Sequence, residues 1–198
     1  MTKIKICGLK TAEDISYVNE CMPDYIGFVF LKGRRRYVSP QEAFSLRKIL
    51  NPAIQSVGVF VNEPVENAAS LVNNGIIQIV QLHGQEDASY ALKLKDLCKC
   101  PVIKAFIIKT GDDIRKALNY PCDYLLLDNG LGTGKAFDWS LVQDISKPFF
   151  LAGGLTPENV RDAITLTRPY GVDTSSGVET GCRKDYNKIK AFINAAKE

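Results

Sequence analysis

Asp128 closes the apolar run Tyr124-Leu125-Leu126-Leu127, and Cys7 closes the shorter run Ile4-Lys5-Ile6. A carboxyl and a thiol held at the ends of two strands can face each other across a barrel mouth. There they can divide general acid and general base work, provided each environment moves its pKa toward the required range. The unbroken apolar stretch before Asp128 predicts a strand buried on both faces, as in a parallel sheet, with its first polar residue at a rigid rim. Cys7 precedes Gly8, and nearby backbone amides can lower a thiol pKa, although the sequence does not fix the pKa of Cys7. Each residue also has a plain structural reading, Asp128 as a cap or loop-ordering carboxylate and Cys7 as a small buried hydrophobe.

Around this pair stand groups suited to anions. Ala152-Gly153-Gly154-Leu155 and Asp173-Thr174-Ser175-Ser176-Gly177-Val178-Glu179 can offer backbone amides and hydroxyls to a phosphate. The same Gly-Gly and Ser-Ser-Gly sequences are also ordinary turn material. Arg34-Arg35-Arg36 reads first as a solvated charge run, the alternative being that at least one guanidinium reaches inward to pair with a substrate carboxylate or phosphate. Gln81 and His83 can hydrogen-bond a ligand, or His83 can be structural. Gly130 to Lys135 resembles a nucleotide phosphate loop, but Asn129 stands where that motif needs Gly, and Ala136 where it needs Ser or Thr. It reads instead as a cover beside Asp128 or a plain connection. Lys104 suggests two further readings, a Schiff-base amine of a sugar-phosphate lyase and a barrel-interior lysine paired with a carboxylate. A barrel that binds a phosphorylated metabolite without turning it over is the third functional reading.

The elements that must position these groups repeat along the chain. Eight strands are predicted, at Ile4–Cys7, Tyr25–Phe30, Ser56–Val61, Ile76–Leu82, Val102–Phe106, Tyr124–Leu127, Phe149–Ala152 and Tyr170–Asp173. Helix starts separate them: Thr11 with Asp14 in a capping box, then Ser39-Pro40, Glu63-Pro64 and Thr156-Pro157 with proline at the first helical position. Eight strand-helix units of roughly 25 residues predict a closed (β/α)8 TIM barrel of eight parallel strands, at the short end of that fold's range. An open doubly wound sheet is the rival architecture. Residues 1–198 are expected to form one domain.

Composition narrows the function classes. Lys and Arg number 25 against 22 Asp and Glu, a net charge of +3, and no wider basic stripe follows the arginine triplet, so no nucleic-acid partner is expected. No leader pattern or membrane-length apolar run is present, so a cytoplasmic protein with no membrane partner is expected. The six cysteines are scattered and expected to be free thiols. Cys98-Lys99-Cys100 lacks a second Cys/His pair at zinc spacing, so no metal is expected.

Taken together, Lys5-Ile6-Cys7-Gly8-Leu9, Gly27-Phe28-Val29-Phe30, Arg36-Tyr37-Val38-Ser39-Pro40, Val57-Gly58-Val59-Phe60 and Gln81-Leu82-His83-Gly84 resemble the phosphoribosylanthranilate isomerase family. So do Leu127-Asp128, Gly132 to Trp139, Leu151-Ala152-Gly153-Gly154-Leu155 and Ser175-Ser176-Gly177-Val178-Glu179, in order from Cys7 to Glu179. The resemblance implies a tryptophan-biosynthesis enzyme that needs no cofactor and performs an Amadori rearrangement on a small phosphorylated substrate, with monomer and homodimer both left open by the sequence. It implies Asp128 as general acid and Cys7 as general base. It also implies Arg36 on the anthranilate carboxylate, Gly153, Gly154, Ser175, Ser176 and Gly177 around the phosphate, and Asp173 on the sugar side. The sequence departs from the family's pattern at Arg34, where a serine is usual.

Overall fold

The computed structural model describes residues 1–128, 139–142 and 145–198, with the backbone alone described at Ser140. Eight strands close into one parallel barrel in chain order: β1 (Lys3–Cys7), β2 (Tyr25–Val29), β3 (Gln55–Phe60), β4 (Ile79–Leu82), β5 (Val102–Ile107), β6 (Tyr124–Asp128), β7 (Phe149–Leu151) and β8 (Gly171–Thr174). Closure by pairing of β1 with β8 excludes the open sheet. The helices are α1 (Ala12–Cys21), α2 (Pro40–Ile49), α3 (Val65–Asn73), α4 (Ala88–Cys98), α5 (Gly111–Leu118), α6 (Val160–Thr167) and α7 (Tyr186–Lys197). Between β6 and β7 the described residues form a 3-10 turn, Trp139–Val142. The loop expected to cover Asp128, Gly130 to Lys135, lies outside the described residues. A short hairpin, β9 (Glu179–Thr180) and β10 (Arg183–Lys184), precedes α7. Among the described residues no helix is long and apolar enough to cross a membrane.

Local chemistry explains most boundaries. Thr11 and Asp14 form a reciprocal capping box at α1, and Ser39 and Glu42 do so at α2 with Pro40 at its first turn. Two expected starts shift. Asn159, not Thr156, holds the N-cap position of α6 without a side-chain cap bond; its side chain instead accepts from the Thr156 N–H at 2.8 Å and donates to the Gly154 carbonyl at 2.9 Å, closing a turn before the helix. At α3, Pro64 itself is the cap residue and Glu63 accepts from the Asn67 side chain instead of capping. β4 is shorter than the apolar run implies. The Ile76 and Ile77 amides donate to the Leu71 carbonyl and finish α3, and both side chains pack in the outer core.

Alternation along the strands separates two cores. Ile4, Ile6, Leu125 and Leu127 point outward into the layer between sheet and helices. Tyr25, Val57, Ile79, Ile103, Leu126, Phe150 and Ala152 fill the barrel. Leu125, Leu126 and Leu127 are all inaccessible to water, as expected for a strand covered on both faces. Tyr25, Tyr124, Phe150 and Tyr170 pack together within the barrel, and the hydroxyls of Tyr25 and Tyr170 meet at 2.9 Å.

The same alternation corrects the barrel-interior placement expected for Lys104, while its expected pairing with a carboxylate is present. Ile103 and Ala105 take the interior positions of β5, so Lys104 lies on the other face. Its ammonium pairs with Glu86 at 2.8 Å and donates to the Gly84 carbonyl at 2.7 Å. Glu86 also accepts from the Asn62 and Gly84 amides at 2.7 and 3.0 Å, tying the loops after β3 and β4 together. Burial of Glu86 works against its charge, but Lys104 and the amides outweigh it and its pKa lies below the ordinary glutamate value. Removing one partner strands the other charge in the interior. Glu86→Ala is therefore expected to lower the unfolding free energy by roughly 3–5 kcal/mol in urea titration, and a loss below ~1 kcal/mol would refute this account.

Candidate active site

The interior positions nearest the C-terminal strand ends carry Cys7 on β1, Gln81 on β4, Asp128 on β6 and Asp173 on β8. They open into one cavity of about 450 Å³. Arg36, His83, Gly153, Gly154, Ser175 and Ser176 also line it, together with an apolar wall of Val29, Leu31, Val59 and Val61. Gly177 stands behind the lining, where a Cβ would sit 1.9 Å from the Leu155 carbonyl oxygen, so glycine there lets the loops after β7 and β8 touch. Lys104 does not line this cavity. A larger cleft of about 640 Å³ beside Trp139 and α6 gathers none of the expected site residues.

Cys7 is nearly buried, and Gly27, its partner in the β1–β2 register, makes room for it: a Cβ on Gly27 would lie 2.6 Å from the thiol sulfur. Burial raises the thiol pKa, partly opposed by the Lys5 ammonium, and the net shift is upward. The lowering that amides beside Gly8 could have supplied does not prevail. The Gly8 amide donates to the Gly27 carbonyl at 2.8 Å as the strands part, so it is engaged in the backbone and not given to the sulfur. Lys5, two residues earlier on the same strand face, is fully buried and pairs with Asp173 at 2.8 Å, directly across the β1–β8 register. Burial disfavours its charge, but Asp173 and Cys7 more than compensate and its pKa is raised.

Across the mouth, His83 Nε2 lies 3.9 Å from a carboxylate oxygen of Asp128. Its Nδ1 is 2.9 Å from Gln81 Nε2, an amide donor, so as assigned Nδ1 accepts and the Nε2 proton faces Asp128. Burial lowers the His83 pKa despite the attraction of Asp128, favouring the neutral ring. Gln81 Oε1 is buried and has no hydrogen-bond partner among the described residues. It is therefore suited to accept from a ligand hydroxyl or amine.

The third corner carries positive charge. Arg34 is exposed, whereas Arg36 turns to the cavity and is gripped on two nitrogens by Glu179, at 2.8 and 3.0 Å. Arg35 and Lys184 reach the same carboxylate at 2.7 and 2.9 Å. Burial of Glu179 would raise its pKa, yet these cations hold it down to about 2. The neighbouring phosphate-type loops are shaped for close approach. Gly153 and Gly154 both have left-handed backbones, at φ 84° and 73°, and the Ser175 hydroxyl donates to the Cys7 carbonyl at 2.9 Å.

With this geometry in hand, comparison with known proteins is specific. A sequence model described as N-(5'phosphoribosyl)anthranilate (PRA) isomerase matches residues 4–195. The chain belongs to the N-(5'-phosphoribosyl)anthranilate isomerase family. A curated relative of that name from Endomicrobium trichonymphae is 48% identical, over 96% of this chain and 95% of its own. A crystal structure of the Thermotoga maritima phosphoribosyl anthranilate isomerase is 41% identical with a TM-score of 0.92, covering 100% of this chain and 99% of that one. Another phosphoribosyl anthranilate isomerase structure, 40% identical with a TM-score of 0.90 and the same coverage, is a complex with reduced 1-(o-carboxyphenylamino)-1-deoxyribulose 5-phosphate.

Within this family member, the cavity gathers the expected residues except Gly177 and adds Lys5, Glu179 and Lys184 around them. Lys5 was open to detection, since it shares a strand face with Cys7. Glu179 stood in the Ser175-to-Glu179 segment with no role of its own, because its partner Arg36 is 143 residues away in sequence, and Lys184, whose partner is Glu179, was not singled out. Because the folded pKa of Glu179 is below the ordinary value of 4.5, its stabilisation is complete above that value and lost as pH falls through about 2. Unfolding free energies measured from pH 5 to 2 should fall on the order of 2 kcal/mol more in the unmodified protein than in Glu179→Gln. Parallel curves would contradict it.

Proposed function

We propose that this protein converts N-(5-phosphoribosyl)anthranilate to 1-(o-carboxyphenylamino)-1-deoxyribulose 5-phosphate, an Amadori rearrangement of tryptophan biosynthesis that needs no cofactor. The observation that carries this reading is the convergence of a thiol, a carboxyl, a guanidinium and two glycine- or serine-bearing loops on one cavity. Asp128 gives its proton to the ribose ring oxygen, and the C1–O bond breaks to leave an iminium. Cys7 as thiolate takes the C2 proton, producing an enolamine. Tautomerisation moves a proton to C1 and releases one from the C2 hydroxyl, so substrate and product remain isomers.

The other residues hold the substrate in place for these transfers. Arg36 pairs with the anthranilate carboxylate while the wall of Val29, Leu31, Val59 and Val61 takes the ring. Gly153, Gly154, Ser175, Ser176 and Gly177 receive the phosphate, and Asp173 and Gln81 face the sugar. Phosphate binding remote from the reacting carbons orients them. His83 lies beside Asp128 at the mouth, with Nε2 3.9 Å from the carboxyl. Lys104, on the opposite face of β5, is too poorly placed to serve as a Schiff-base amine for this cavity.

A buried thiol with a raised pKa supplies little thiolate at neutral pH, but the thiolate it supplies is a stronger base. Lys5 is the counterweight, because its ammonium favours the ionised sulfur. The purified protein, with a chelator present, is expected to consume phosphoribosylanthranilate with loss of its fluorescence. Cys7→Ser and Asp128→Asn should each lower kcat about 100-fold or more while keeping product affinity, and near-normal kcat in either variant removes that residue from the mechanism. In Lys5→Met the Cys7 pKa rises further, so the acid limb of the kcat profile should move to higher pH. An unmoved limb would separate Lys5 from the base.

A further inference from the structure

We propose that Glu179 is the positioning residue that aims Arg36 at the substrate carboxylate, an inference that rests on the role given to Arg36 above. A guanidinium has two edges able to grip a carboxylate, the Nε–Nη2 side and the Nη1–Nη2 end. Glu179 occupies the side edge of Arg36, with Nε donating at 2.8 Å and Nη2 at 3.0 Å. The end edge is thereby oriented as the face for a second carboxylate.

The aim is set from both ends of the arginine. Its stem crosses Gly8, whose backbone is left-handed and where a Cβ would meet Arg36 Cδ at 2.4 Å. Its head is locked to a carboxylate that is 7% exposed and itself anchored by Lys184 at 2.9 Å and Arg35 at 2.7 Å. Lys184 also donates to the Ser175 carbonyl at 2.8 Å. The loop after β8 is thus held by a bond from Lys184 itself, separate from the Glu179 grip on Arg36. Three cations face one carboxylate in this cluster, so Glu179 orients Arg36 while leaving the corner positive and attractive to an anion.

A merely structural Glu179 would pin the β9–β10 hairpin and nothing more. The two roles separate when the substrate is compared with N-(5-phosphoribosyl)aniline, which lacks only the carboxylate. For Glu179→Gln, KM for the anthranilate substrate is expected to rise about tenfold or more with kcat within about threefold, while KM for the aniline analogue stays within about twofold. Added to Arg36→Met, the substitution should cause no further loss, because both act through one interaction. If Glu179→Gln loses its thermal transition, Glu179→Asp, which keeps the charge and shortens the reach, takes its place in the same comparison. Equal losses with both substrates, full additivity with Arg36→Met, or an unchanged KM would each overturn the proposal. An unchanged KM in Arg36→Met would fell the Arg36 assignment and this inference with it, and absence of turnover by the unmodified protein would fell the functional reading on which both rest.

Discussion

The pairing of β1 with β8 closes the sheet, and its register places Lys5 opposite Asp173. A lysine with no exposure to water needs a compensating charge, and the 2.8 Å contact with Asp173 supplies it at the seam of the barrel. The same strand carries Cys7 two residues on, facing the same interior. Closure, charge compensation and placement of the thiol are therefore one geometric event. Sliding β1 by one residue would turn Lys5 and Cys7 into the outer core and bring Ile4 and Ile6 inward.

From that seam the cavity divides into chemically distinct corners. The thiol sits over Lys5 in the wall of the cavity, and Asp128 stands across the mouth beside His83, which Gln81 orients. The Glu179 cluster holds the arginine side at positive charge, and the loops after β7 and β8 press together where Gly177 meets Leu155. Strong electrostatic groups are kept apart by strands whose spacing is set by backbone hydrogen bonds. Their relative positions thus inherit the rigidity of the sheet.

Much of this was legible in the chain. The apolar runs reported the strands because a parallel sheet covered on both faces excludes polar side chains, and Leu125 to Leu127 obey that rule. The capping boxes at Thr11 and Ser39 were legible because their partners lie three residues away. The starts of α3 and α6 and the length of β4 were less so. Side chains of Asn159 and Asn67 and the Leu71 carbonyl redirect the chain in those places, and such competition depends on folded neighbours. Cys7 and Asp128 stood out by position at strand ends and Arg36 by family resemblance, whereas the direction of the Cys7 pKa was not fixed by the sequence because it depends on burial and on Lys5.

By itself the sequence determined the period-two patterning, the order of eight strands and the residue types delivered to their C-terminal ends, because these depend on local geometry and on which side chains tolerate burial. Only the tertiary structure decided which face Lys104 takes, that Lys5 lies under Cys7, and that Glu179 grips Arg36 across 143 residues. Those outcomes follow from strand register and barrel closure. Burial and charge partners act over a few ångströms in space, and the separation of residues along the chain does not encode that distance.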